Sequence, residues 1–136
     1  MTDLDLIAKK LAVVETSVAE LRSLARPADI ARDKVQERFV EHTLQIAIQA
    51  VLDVASHIVS DERLGEPRTN REMVDMLERN GWVPGDLAAT LRRMVGFRNV
   101  LVHGYDTVDV AVVREIVEAR LEDLLRFVSI IRARSK

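Results

Sequence analysis

The chain has 136 residues, with 20 Lys and Arg against 22 Asp and Glu for a net charge of -2, 48% apolar residues and no cysteine. That is enough chain to bury roughly two thirds of its unfolded surface, so a single domain over residues 1–136 needs no disulfide or metal to hold it. The charge balance excludes a protein that coats nucleic acid over its whole surface, charges interrupt every stretch that approaches the ~20 apolar residues of a bilayer span, and the acidic start from Met1 to Asp5 is unlike a secretory signal, which points to the cytoplasm and away from a membrane.

The apolar spacing is helical throughout. Leu4, Ile7, Leu11, Val14, Val18 and Leu21 draw one stripe along a first helix ending near Leu24. Pro27 separates it from a long second helix running to about Val59, because proline disfavours helix in the residue before it and fits the first turn of the next one. Ser60 to Arg68, with Gly65 and Pro67, is a polar loop, and Thr69 with Glu72 three residues on reads as a capping box that opens a short third helix burying Met73, Met76 and Leu77. Asn80-Gly81 ends it, and Pro84 starts a fourth helix through Leu87, Leu91 and Met94 that His103-Gly104 can close. A fifth helix is predicted from Asp109 as N-cap to about Arg134, burying Val113, Val117, Leu121, Leu124, Val128 and Ile131. The predicted class is therefore all-α, an up-and-down bundle of about five helices.

The second helix carries two stripes. Leu44, Ile48, Val51, Leu52, Ala55 and Ile58 suffice to pack it in its own bundle. The stripe Val35, Phe39, His42, Ile46, Gln49, Asp53, His57 is half polar, and such groups are costly to bury without partners, which suits a dimer interface or the wall of a cleft. Asp53 and His57 stand four residues apart and can orient each other. Two ligands without a third make a metal site a poor reading, and no metal or cofactor is expected.

The chemistry gathers in Arg98-Asn99-Val100-Leu101-Val102-His103-Gly104-Tyr105-Asp106. A fixed cation, an imidazole able to exchange protons near neutral pH and the chain's only tyrosine suit phosphodiester cleavage, which needs charge stabilisation and proton transfer. The segment closes the longest acid-free run of the chain, Leu87 to Tyr105, with Arg92 and Arg93 further back in it; these two either solvate a helix face or bind a polyanion. Arg98 and His103 would lie roughly 140° apart around a continuous helix, so either the helix stops between them or they meet across the two-fold axis of a homodimer. Trp82 and Phe97 are predicted to be core rather than base-stacking rings.

Arg98 and His103 with four residues between them, and Tyr105 two beyond the histidine, match the arginine-x4-histidine-x-tyrosine motif of the HepT toxins of the HEPN superfamily, which this chain resembles along essentially its whole length. The second-helix segment Ala47 to Ile58 and the run Val102 to Asp109 are similar too. The resemblance implies a metal-independent RNA endonuclease working as a homodimer, the toxin of a type VII toxin–antitoxin pair whose partner is a minimal nucleotidyltransferase (MNT) antitoxin. It makes Arg98 and His103 catalytic, with a 2′,3′-cyclic phosphate product, and Tyr105 the residue that the antitoxin modifies with AMP. Asn99 and Asp53 are expected to support the site, Asp53 by holding a motif arginine of its own or the partner chain with Gln49 and His57 beside it, and Arg92 and Arg93 to bind RNA. The alternative is a non-catalytic helical partner that binds nucleotide or presents substrate to a nucleotidyltransferase.

Overall fold

Local chemistry sets most helix boundaries in the computed structural model, which describes residues 3–104 and 108–135. Asp3 caps α1 (Leu4–Leu24) by accepting a hydrogen bond from the Leu6 N–H. Ile7, Leu11, Val14, Val18 and Leu21 are buried, but Leu4 is exposed, so the apolar stripe starts one turn later than its spacing predicts. Pro27 opens a 3-10 turn (Pro27–Asp29) instead of the second helix. α2 (Lys34–Asp61) begins only where the Asp33 side chain can accept from the Val35 and Gln36 N–H groups. Gln36 then ties the two helices together, its Oε1 taking the Arg26 N–H at 2.7 Å just past the end of α1.

The Thr69 cap forms as its sequence predicts, with Oγ1 accepting from the Glu72 N–H at 3.1 Å at the head of α3 (Asn70–Arg79). Glu72 completes the box differently, taking the Arg68 N–H at 2.6 Å. Gly81, at φ +75°, makes the left-handed turn that brings Trp82 and Val83 into the core, and Pro84 caps α4 (Gly85–His103). Asp109 caps α5 (Val110–Ala119) as expected. The predicted fifth helix is in fact two, because Arg120 sits at φ -120°, ψ 0° and separates α5 from α6 (Leu121–Arg134). Its guanidinium reaches carboxylates on both sides of the break, Glu115 at 3.3 Å and Asp123 at 3.7 Å. The bend lets α5 pack on the 3-10 turn while α6 packs on α1, surfaces that one straight helix would not follow.

Among the described residues the fold is therefore all-α, six α-helices and one 3-10 turn, with α2 at its centre against α1, α3 and α4. Leu44, Ile48, Val51, Leu52, Ala55 and Ile58 form its buried stripe as predicted. One correction concerns membranes: α2 is long and apolar enough to cross a bilayer by length and composition, although 61% of its most apolar window is buried inside the bundle. Its other stripe is largely open, with Val35 78% and Ile46 40% exposed. On the buried side, one turn before Leu44, lies Glu41, fully buried with no hydrogen-bond partner for either carboxylate oxygen. Burial, and then the nearby Glu37 charge, push the Glu41 carboxyl up to about 7, against weaker opposing pulls from Arg38 and Lys34.

Candidate active site

Arg98 points from α4 onto the polar side of α2. Its Nη2 donates to Gln49 Oε1 at 2.7 Å, and Nη1 makes a long contact with Asn99 Oδ1 at 3.4 Å. Gln49 is held in turn, its Nε2 donating to Asp53 Oδ1 at 2.9 Å, and the other carboxylate oxygen of Asp53 pairs with Lys10 Nζ of α1 at 3.0 Å. Four side chains on three helices thus form one chain of contacts ending at the guanidinium. Arg98 Nε lies at the end of it, shielded from solvent and without an acceptor. A buried donor on a charged group costs about 1–3 kcal/mol while unpaired, so an anion that reached it would recover that energy.

Within one chain Asp53 therefore does not hold Arg98 directly. Gln49 does, and Asp53 sits one step behind it; no hydrogen bond or ion pair joins Asp53 to His57 among the described residues. Sequence reasoning placed Gln49 in the polar stripe but not as the arginine's acceptor, and it missed Lys10. The four-residue step from Gln49 to Asp53 was the available signal for that pair.

His103 is the last residue of α4 and is exposed. The helix runs unbroken from Arg98 to His103, and the Gly104 N–H still bonds the Val100 carbonyl at 3.1 Å. This removes one of the two arrangements open to the sequence. Within one chain the two side chains leave α4 in directions roughly 140° apart, about 7.5 Å apart along the axis. The helix ends before Gly104 as predicted, but Gly104 is extended (φ 160°, ψ 126°) and supplies no left-handed cap. Tyr105 lies outside the described residues.

Arg92 is not free for an RNA backbone. It bonds Asp75 of α3 at 2.7 Å and also Glu78, and these hydrogen bonds raise its pKa, so it pins α3 to α4. Arg93 is exposed and lines a groove between α4 and α5 with Thr90, Met94, Val112, Glu115, Ile116 and Arg120. Trp82 and Phe97 are buried as predicted, with the Arg134 guanidinium 4.1 Å above the Trp82 ring. No group of three His, Asp or Glu side chains is placed to hold a metal ion among the described residues.

The family described as Ribonuclease HepT-like matches residues 14–131. The chain belongs to the HepT-like family. This HepT-like chain is 28% identical over 130 residues to the mRNA nuclease HepT of Shewanella oneidensis, covering 95% of this chain and 98% of that one. A shorter match, 35% identical over 74 residues, covers 54% of this chain and 50% of the tRNA nuclease HepT of Aphanizomenon flos-aquae. The fold superposes with a TM-score of 0.89 on the tri-AMPylated Shewanella oneidensis HEPN toxin, solved in complex with its MNT antitoxin, at 28% identity over 96% of this chain and 99% of that one.

Proposed function

We propose that this HepT-like chain is an RNA endonuclease, the toxin of a type VII toxin–antitoxin pair, acting in the cytoplasm as a homodimer and held off by an MNT nucleotidyltransferase antitoxin. The observation that carries the chemistry is Arg98, fixed on α2 through Gln49 with its Nε–H unpaired, five residues before an exposed His103 on the same helix. Nuclease relatives acting on mRNA and on tRNA, and a related toxin solved with its antitoxin, support the reading.

Because the two side chains diverge on one α4, a two-fold dimer is what brings an arginine of one copy near a histidine of the other. The open stripe of α2, with Val35, His42 and Ile46, is the surface such a dimer would cover. One His103 imidazole takes the proton of the ribose 2′-hydroxyl, and the oxygen attacks the adjacent phosphorus. The bond from phosphorus to the 5′-oxygen then breaks, and the leaving oxygen takes a proton from the second imidazole. Arg98 stabilises the charge that builds on the phosphoryl oxygens. Asn99, beside the guanidinium, supports the site, and Arg93 is the better placed of the two upstream arginines to touch the backbone.

No step of this scheme needs a metal. Purified protein incubated with RNA in EDTA is expected to cut it and leave 2′,3′-cyclic phosphate ends, while all-DNA strands stay intact. Cleavage that EDTA abolishes and a divalent ion restores would sink the mechanism. Tyr105 is the proposed site of silencing, since each added AMP brings a bulky anionic phosphodiester two residues along the sequence from His103. Tyr105→Phe should therefore gain no AMP mass when treated with the cognate antitoxin and ATP. Added AMP on that variant would move the modification elsewhere.

A further inference from the structure

Gln49 is a neutral residue in a place that usually holds a carboxylate, since arginines are most often held by Asp or Glu. A carboxylate in hydrogen-bond contact would cancel much of the charge that Arg98 brings to a phosphate, whereas an amide oxygen accepts the same bond and leaves the cation whole. An amide, however, has two ends. Had Gln49 presented its NH2 to Arg98, two donors would have met.

Asp53 removes that choice. A carboxylate oxygen accepts and does not donate, so the Gln49 NH2 group turns to Asp53 Oδ1 at 2.9 Å and the amide oxygen is left facing Arg98 Nη2 at 2.7 Å. Lys10, 3.0 Å from the second Asp53 oxygen, offsets the acid's charge and joins α1 to the chain of contacts. Of the three groups only Gln49 touches the guanidinium, from the side of α2. The Arg98 Nε–H stays buried and without a protein acceptor.

We propose that Gln49 is a positioning residue for RNA cleavage, with its amide direction set by Asp53 and Lys10, and that it holds Arg98 as an uncancelled cation with Nε–H reserved for the scissile phosphate. The proposal rests on the ribonuclease reading for its consequence in catalysis. Its geometry can be tested separately.

The test uses the full-length protein and an RNA oligonucleotide, with kcat and KM measured separately. Gln49→Met, similar in shape but without the amide, should lower kcat ~10–100-fold, the scale of a misplaced catalytic group. Gln49→Glu should fall at least as far, although its carboxylate still accepts from Arg98, because that carboxylate cancels the cation and faces Asp53. Asp53→Asn changes almost no volume and should cost several-fold by freeing the amide to turn over. In an Arg98→Lys background, Gln49→Met should add little, since the two residues act as a unit. A Gln49→Glu variant with parent kcat, or a Gln49→Met effect undiminished in that background, would overturn the proposal.

A second readout does not depend on cleavage. Nitrogen-15 NMR should show a slowly exchanging arginine Nε–H signal, besides that of the Asp75-bonded Arg92, that disappears in Arg98→Lys and exchanges fast in Gln49→Met. The same slow signal in Gln49→Met would overturn the positioning role. A parent protein that cuts no RNA but shows the expected signals would instead sink the ribonuclease reading and leave the geometry standing.

Discussion

His103→Ala is expected to lower RNA cleavage by ~100- to 10,000-fold, the range attributed to a positioned general acid or base, with the fold unchanged. The size follows from the proposed chemistry, in which imidazole is the only group of the motif that both takes and returns a proton near neutral pH. The intact fold follows from position. His103 is exposed on the last turn of α4, so truncating its side chain opens no cavity. Loss of a cation at a helix C-terminus costs about 0.3–1 kcal/mol, and only while the ring is protonated. Cleavage of a labelled RNA, alongside circular dichroism and sedimentation of the variant, checks both halves. A folded His103→Ala that cuts at the parent rate would remove histidine from the mechanism.

Features whose cause lies within a few residues could be read from the sequence. Thr69 and Asp109 each cap the helix their neighbours predict, because such a cap needs only the side chain and the first turn, and Pro84 marks the start of α4 through its fixed backbone without a capping bond. The Arg98 and His103 motif was likewise visible, and the family match agrees with it. Arg120 gave no such sign. It is neither Gly nor Pro, and its backbone departs from helix where α5 and α6 turn to different neighbours, so the break belongs to tertiary packing. The bond from Arg98 to Gln49 spans 49 residues and depends on how α4 lies along α2, which no local pattern encodes. Glu41 was hidden by its own neighbourhood. Glu37 and Glu41 at a four-residue step look like a solvated helix face, yet Glu41 is buried.

Glu41 should therefore make the fold less stable as pH rises from the acid side towards neutrality, against the usual behaviour of a paired carboxylate. Its pKa is raised from 4.5 to about 7, so between those values the folded chain keeps a proton that the unfolded chain has released. Stability that depends on a proton bound only in the folded state falls as pH rises from about 4.5 and is lost once pH exceeds about 7. The difference between those two values corresponds to about 3 kcal/mol. Above pH 7 the ionised group must either stay buried without a hydrogen bond or pull α2 toward solvent.

Glu41→Met replaces it with an apolar chain of similar length and removes both the unpaired oxygens and the titration. Urea unfolding from pH 5 to 8.5, at one protein concentration because a dimer's stability depends on it, should show the variant gaining on the parent by about 2.5 kcal/mol across that range. The gain should be largest at pH 8.5 and smallest at pH 5, where the folded parent is still neutral at this position. Parallel stability profiles for parent and variant would mean that Glu41 keeps its charge in the fold and finds a partner there.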